Sequence, residues 1–173
     1  MKKIYITGVS GTGKTTVAKE LEKRGFYTIS IDEVEGLCSW VHQETREKHG
    51  GKDTELTLEF VDAHDWILDV EYLNKLLEKD VETAFVLGMA GNQNDFLHMF
   101  DKILLLQCSP ETFSARIDAR TDNDFGKDPK IKSQILNRYK SYAEEMLAKG
   151  AISIDTEKPI DEVVATVLKK ISE

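Results

Sequence analysis

The stretch "GVSGTGKT", residues 8–15, stands near the start of the chain and matches the pattern G-x-x-x-x-G-K-[ST] through Gly8, Gly13, Lys14 and Thr15. Each position has a physical task. Glycines at Gly8, Gly11 and Gly13 let the backbone come close to an anion and point its N–H groups inward. Ser10, Thr12 and Thr16 complete the loop. A helix starting here adds its positive end, Lys14 reaches the outer phosphates of a nucleotide, and the Thr15 hydroxyl ligates magnesium. The string counts only between a strand and a helix, and that context is present. Lys2–Thr7 is a short apolar run rich in β-branched and aromatic residues, which reads as a buried strand. Val17, Ala18 and Leu21 then recur at helical spacing over residues 14–24, and Gly25 stops the helix. A dinucleotide-binding loop is not expected, because G-x-G-x-x-G is missing at this position.

Working outward, strands are expected over residues 26–31, 83–88 and 102–108, with a fifth at "AISIDT", residues 151–156. Residues 33–63 read as mostly helical, broken at Gly50 and Gly51. Asp69 is placed to cap a helix over 70–78, and Pro110 to open another. Helices over about 130–149 and 161–171 complete the set. The strands are apolar throughout rather than alternating, so both faces of the sheet are covered. Strands alternating with helices then imply an α/β fold with a parallel sheet and right-handed crossovers.

Composition bounds the rest. The 173 residues suffice for a single domain over 1–173, and 40% hydrophobic with 31% charged residues is ordinary for a globular chain. A net charge of −8 argues against a broad nucleic-acid footprint, which needs many phosphate-neutralising cations, so no nucleic-acid partner is expected. The apolar run after Met1 is too short for a secretory signal, and no segment approaches a membrane span, so a cytoplasmic location without membrane contact is expected. Cys38 and Cys108 are isolated and read as buried thiols. His42, His49, His64 and His98 show no metal spacing, and Asp62, His64 and Asp65 read as exposed helix charge. Monomer or homodimer are both compatible with the chain.

With the loop, its flanking elements and the later landmarks in view, the chain resembles the small P-loop kinases of the adenylate kinase and shikimate kinase type. The landmarks are an acidic residue after the second strand, a glycine turn after the third and an arginine-bearing segment after the fourth. The resemblance implies a P-loop NTPase fold: three α/β/α layers around a five-stranded parallel sheet ordered 2-3-1-4-5. It also implies ATP and magnesium as cofactors, and phosphoryl transfer to a small-molecule acceptor. An acceptor segment over about 33–69 and a lid over about 116–130 would follow.

The same resemblance gives roles to particular residues. Asp32, ending "SIDE", would face the acceptor or the magnesium shell, although it also suits an N-cap, with Glu35 completing a capping-box pattern. Glu33 is the weaker choice. Arg116 and Arg120 share a helix face and precede "TDNDFGKDP"; they would close on the phosphates as catalytic residues, with Lys127 a lesser lid candidate. In "GMAGNQ", Gly88 and Gly91 would admit an acceptor, and Asn92 and Gln93 would bond its hydroxyls. In "DTEKP", Thr156 and Pro159 would wrap the nucleotide base.

Departures matter as well. The acceptor arginines of a shikimate kinase are missing over residues 50–65, where Lys52 alone is a lysine or arginine, and the adenylate-kinase "TGD" stretch is absent. Trp40 and Trp66 are able to stack a base or a sugar, but core positions are the commoner use of tryptophan. The expected function is ATP-dependent phosphorylation of a nucleoside, nucleotide or hydroxylated metabolite, with hydroxyl-bearing acceptors favoured over multiply phosphorylated ones. The rival is a nucleotide-dependent switch or assembly ATPase acting on a protein or RNA.

Overall fold

The computed structural model describes residues 1–51, 54, 56–119, 121 and 127–173. In chain order the elements are β1 (Lys2–Thr7), α1 (Lys14–Lys23), β2 (Tyr27–Ser30), β3 (Cys38–His42), β4 (Lys48–His49), α2 (Leu58–Ala63), β5 (His64–Leu68), α3 (Val70–Leu76), β6 (Thr83–Leu87), β7 (Lys102–Gln107), α4 (Pro110–Asp118), α5 (Pro129–Ala148), β8 (Ile152–Asp155) and α6 (Ile160–Ser172).

Five strands form a parallel sheet in the order β2-β6-β1-β7-β8, which is 2-3-1-4-5 when only its own strands are counted. In β1, Ile4 lies between Phe85 of β6 and Lys102 of β7. Successive residues of β1 are buried on opposite faces. Ile4 and Ile6 join Val17 and Leu21 of α1 and Val164 and Val167 of α6 in one cluster. Tyr5 joins Leu73 of α3 and Ala143 and Met146 of α5 in the other. That is why the strands carry no polar alternation: each face supports its own helical layer.

Local chemistry sets the helix starts. Asp69 Oδ1 accepts from Tyr72 N at 3.0 Å, as the sequence anticipates. Ser109 and Asp128 cap α4 and α5, each followed by proline at the first helical position. Among the described residues, no helix is long and apolar enough to cross a membrane.

Residues 33–63 depart from the helical expectation. Instead β4-β3-β5 form a separate three-stranded antiparallel sheet, and only α2 is helical. Leu37, Trp40 and Val41 are spaced i, i+3, i+4 and so imitate a helix face. In the strand, Val41 is buried on one side while Trp40 and His42 share the other. The DAHD stretch is also corrected. Asp62 is exposed on α2, but His64 is buried at the start of β5, with a relative exposure of 9%.

Candidate active site

The phosphate loop joins β1 to α1. Gly13 is the N-cap residue of α1 with φ +100°, a conformation that side chains resist, and no side chain caps the helix. The first-turn N–H groups therefore keep their capacity for an external anion. Thr12 is fully buried; its Oγ1 donates to the Val9 carbonyl at 2.8 Å and ties the loop to itself. Lys14 Nζ donates to the carbonyls of Gly8 at 2.7 Å and Val9 at 3.2 Å, which holds the ammonium at the loop's rim. Ser10, Gly11, Gly13, Lys14, Thr15 and Thr16 all face one cleft of about 1420 Å³. An uncapped helix start, a left-handed glycine and a hydroxyl beside a lysine suit a nucleotide polyphosphate with a divalent cation.

Arg116 of α4 reaches the same place. Its Nη1 donates to Thr156 Oγ1 at 3.0 Å and its Nη2 to the Thr156 carbonyl at 2.5 Å. A Cβ on Gly13 would sit 3.8 Å from Nη1, so the guanidinium borders the loop. Thr156 is buried, and its hydroxyl donates to the Gln107 carbonyl at 3.0 Å. The next residue, Glu157, accepts from the Ser109 hydroxyl and the Thr112 hydroxyl and from Ser109 N, and these bonds hold its carboxyl down at about 2. Pro159 takes the position before α6 and does not line the cleft, whereas Lys158 does. Arg120 lies outside the described residues, as does most of the stretch that follows it. Lys127 is exposed away from the cleft.

Asp32 follows β2 and lines the same cleft. The residues after it form turns, not a helix, so the capping expectation with Glu35 fails. Its Oδ1 accepts from Trp66 Nε1 at 2.9 Å, and Glu33 also faces the cleft. Trp40 and Trp66 are directly opposed across β3 and β5, with ring centroids 5.1 Å apart. Both are half-buried and line the cleft, which corrects the assignment of these rings to the core.

The turn after β6 serves the scaffold. A Cβ on Gly88 would fall 2.1 Å from Ile31 Cγ1, so this glycine admits the Ile31 side chain. Asn92 grips Leu68 twice, accepting from its N–H and donating to its carbonyl, both at 3.0 Å. Gln93 is buried and accepts from the Tyr142 hydroxyl at 2.9 Å, while Tyr142 accepts in turn from Thr7 Oγ1 at 2.5 Å. Burial pushes the Tyr142 phenol well up, so it stays neutral. These amides are committed to the fold rather than to an acceptor.

Two residues of α5, Gln134 and Arg138, line the cleft and were missed by sequence reasoning. The available signal was the helix period: Ile131, Ile135 and Arg138 fall at i, i+4 and i+7, so a cation interrupts an apolar stripe. Gln134 Nε2 donates to Asp62 Oδ1 of α2 at 3.2 Å, which ties α5 to α2. Strand pairing also gathers His42, His49 and His64, with ring centroids 4.8–6.4 Å apart. Among the described residues, no group of three or more His, Cys, Asp or Glu is arranged to hold a metal ion.

With this geometry, comparison with known proteins is informative. The family model described as "AAA domain" matches residues 4–137. The chain belongs to that family. No curated protein matches it in sequence. Solved structures share the fold along almost its whole length. Shikimate kinase from Acinetobacter baumannii is 17% identical with a TM-score of 0.59, covering 99% of this chain and 93% of its own. Deoxyadenosine kinase from M. mycoides is 15% identical with a TM-score of 0.56, covering 99% and 100%. A sugar kinase from Janibacter sp. HTCC2649 is 16% identical with a TM-score of 0.56, covering 99% and 95%. At these identities the likeness concerns architecture, and that architecture is the small P-loop kinase fold.

Proposed function

We propose that the protein transfers the terminal phosphoryl group of ATP to a hydroxyl of a small-molecule acceptor. One observation carries this reading: the phosphate loop, Asp32 and Arg116 line one and the same cleft, with Arg116 beside the loop. The similarity in fold to kinases acting on shikimate, deoxyadenosine and sugars supports it. A switch ATPase has no need of a second seat next to the phosphate loop; a transferase requires one.

In this reading the acceptor oxygen forms a new bond to the γ-phosphorus, the bond to the β–γ bridging oxygen breaks, and ADP leaves. Asp32 orients the attacking hydroxyl and takes its proton. Lys14 and Arg116 stabilise charge on the transferring group. Thr15, with Asp32, would hold magnesium, which neutralises phosphate charge when bound. Thr156 keeps Arg116 aimed at the loop. The described residues of segment 33–69 are the acceptor side, and Arg116 belongs to the covering side.

The experiment is ADP release measured with and without candidate acceptors. Lys14→Ala should abolish acceptor-dependent release while the circular dichroism spectrum is retained, because the ammonium of Lys14 is held at the loop by the Gly8 and Val9 carbonyls. Release stimulated only by a macromolecule, or full turnover in the variant, would overturn the proposal.

A further inference from the structure

The acceptor side of the cleft has an unusual wall. Trp66 of β5 and Trp40 of β3, directly opposed, both line the cleft. Phe60 of α2 meets Trp40 edge-on at 5.6 Å, and the buried His64 ring stacks on Phe60 at 3.9 Å, so these two rings back the indoles without lining the cleft. Trp40 and Trp66 are the chain's two tryptophans. The one polar atom of Trp66 is spent on Asp32, so what this side chain offers a ligand is the indole ring itself. Ile131 and Ile135 of α5 line the same cleft, and the Gln134–Asp62 bond brings α5 up to the layer that carries the rings. The two indoles and the aliphatic residues of α5 thus line one slot.

From this juxtaposition we infer that the acceptor is a hydroxyl compound built on a planar aromatic or heteroaromatic ring, seated on Trp66 and Trp40. The inference rests on the kinase reading and narrows it. Trp66 and Trp40 are inclined at 50° to each other, and each indole face gains most from a second flat ring, with stacking worth about 1–3 kcal/mol per ring in nucleic-acid binders. An open-chain polyol or sugar acid instead needs a ring of hydrogen-bond donors, and this wall offers few. The bond from Trp66 to Asp32 also links recognition to reaction: a ring resting on the indole brings its hydroxyl substituent beside the carboxylate proposed to take its proton. Gln134 and Arg138, one helical turn apart, are the polar groups of α5 that meet the edge of such a ring. Arg138 adds room for one anionic substituent.

Because both tryptophans sit in the slot, their emission reports on its occupancy directly. The test saturates the wild-type protein with the non-hydrolysable analogue AMP-PNP and titrates adenosine, cytidine, thymidine and pyridoxine, with gluconate and shikimate as non-aromatic probes. ADP release with ATP is measured in parallel. Saturable emission changes with one or more ring compounds, and none with gluconate or shikimate, are expected. Trp66→Leu should raise KM for the active ring compound by about five- to a hundredfold while kcat changes much less. Trp66→Phe should recover most of that loss, which a merely structural role for the indole would not give. Turnover of gluconate or shikimate but of no ring compound overturns the aromatic seat and leaves the kinase reading intact. Ring binding without any ADP release overturns the kinase reading and leaves the seat. No emission change with any ring compound, or an unchanged KM in Trp66→Leu, overturns the inference.

Discussion

Asp32 is the residue on which the chemistry turns. Its carboxylate is shared between structure, through Trp66 Nε1, and the proposed proton transfer. Asp32→Asn keeps an oxygen able to accept from Trp66 but removes the base. Turnover should therefore fall by about 10²–10⁴, the usual contribution of a general acid–base group, with ATP affinity little changed. Steady-state kinetics decide this, and unchanged kcat would return Asp32 to a purely positioning role. Glu157 gives a second test. Its carboxyl is held down at about 2 against an ordinary 4.5 by Ser109 and Thr112, so its bonds stabilise the fold above the unfolded value and are lost as pH falls toward the folded one. Between about pH 4.5 and 2 the wild type should lose thermal stability that Glu157→Gln never had. Parallel melting curves across that window would contradict the assignment. The phosphate-loop residues were legible from the string because its chemistry is local. The Asp32–Trp66 bond was not, since the partners stand 34 residues apart and Trp66 lies on β5, a strand of five residues that pairs with a strand whose pattern imitates a helix.

At the scale of elements, α5 is the piece that ties the cleft to the parallel sheet. Two tyrosines fasten its middle to the ends of the sheet strands. Tyr139 donates to the Cys108 carbonyl at 2.6 Å and accepts from Cys108 N at 3.1 Å, just past β7. Tyr142 links Thr7 at the end of β1 to Gln93. The N-terminal half, with Ile131, Gln134 and Arg138, extends from this anchor along the cleft. Tyr142→Phe leaves the buried Thr7 and Gln93 groups without their shared partner, so it should cost about 1–3 kcal/mol. Chemical denaturation measures this, and a loss under about 0.5 kcal/mol would show that water takes over the bonds. The helix itself was readable from its period and from Pro129 at its start. The β3, β4 and β5 strands were not. They are two to five residues long, and a short apolar run at i, i+3, i+4 fits either conformation until a partner strand is known.

For the whole molecule, the parallel sheet and the small antiparallel sheet differ in how firmly they are built. β1, at the centre of the five-stranded sheet, is hydrogen-bonded on both sides and flanked by two buried clusters, whereas β4 is two exposed residues at a sheet edge. Opening should therefore be graded: amides of β1, β6 and β7 exchange last, and those of β4 first. The small sheet is joined to the rest through Cys38 and Leu68, buried in the same cluster as Tyr5, and by bonds of Asn92 to Leu68 and of Gly91 N to the Trp66 carbonyl at 2.7 Å. A ligand that binds only the native cleft stabilises everything the cleft touches, by about 2.7 kcal/mol at a hundredfold excess over its dissociation constant. For a chain of this size that is a rise in Tm of roughly 5–10 °C. AMP-PNP with magnesium contacts mainly the phosphate loop, α1 and Arg116 in this reading, so it should raise Tm yet leave the exchange of β3 and β5 nearly unchanged. An acceptor added to that complex should slow exchange in β3 and β5 selectively, because its seat is their aromatic face. Hydrogen exchange read residue by residue separates the two effects. Protection of β3 and β5 by AMP-PNP alone would mean that the nucleotide itself occupies the place of the two indoles. A Tm rise that survives Lys14→Ala at full size would detach the stabilisation from the phosphate loop altogether.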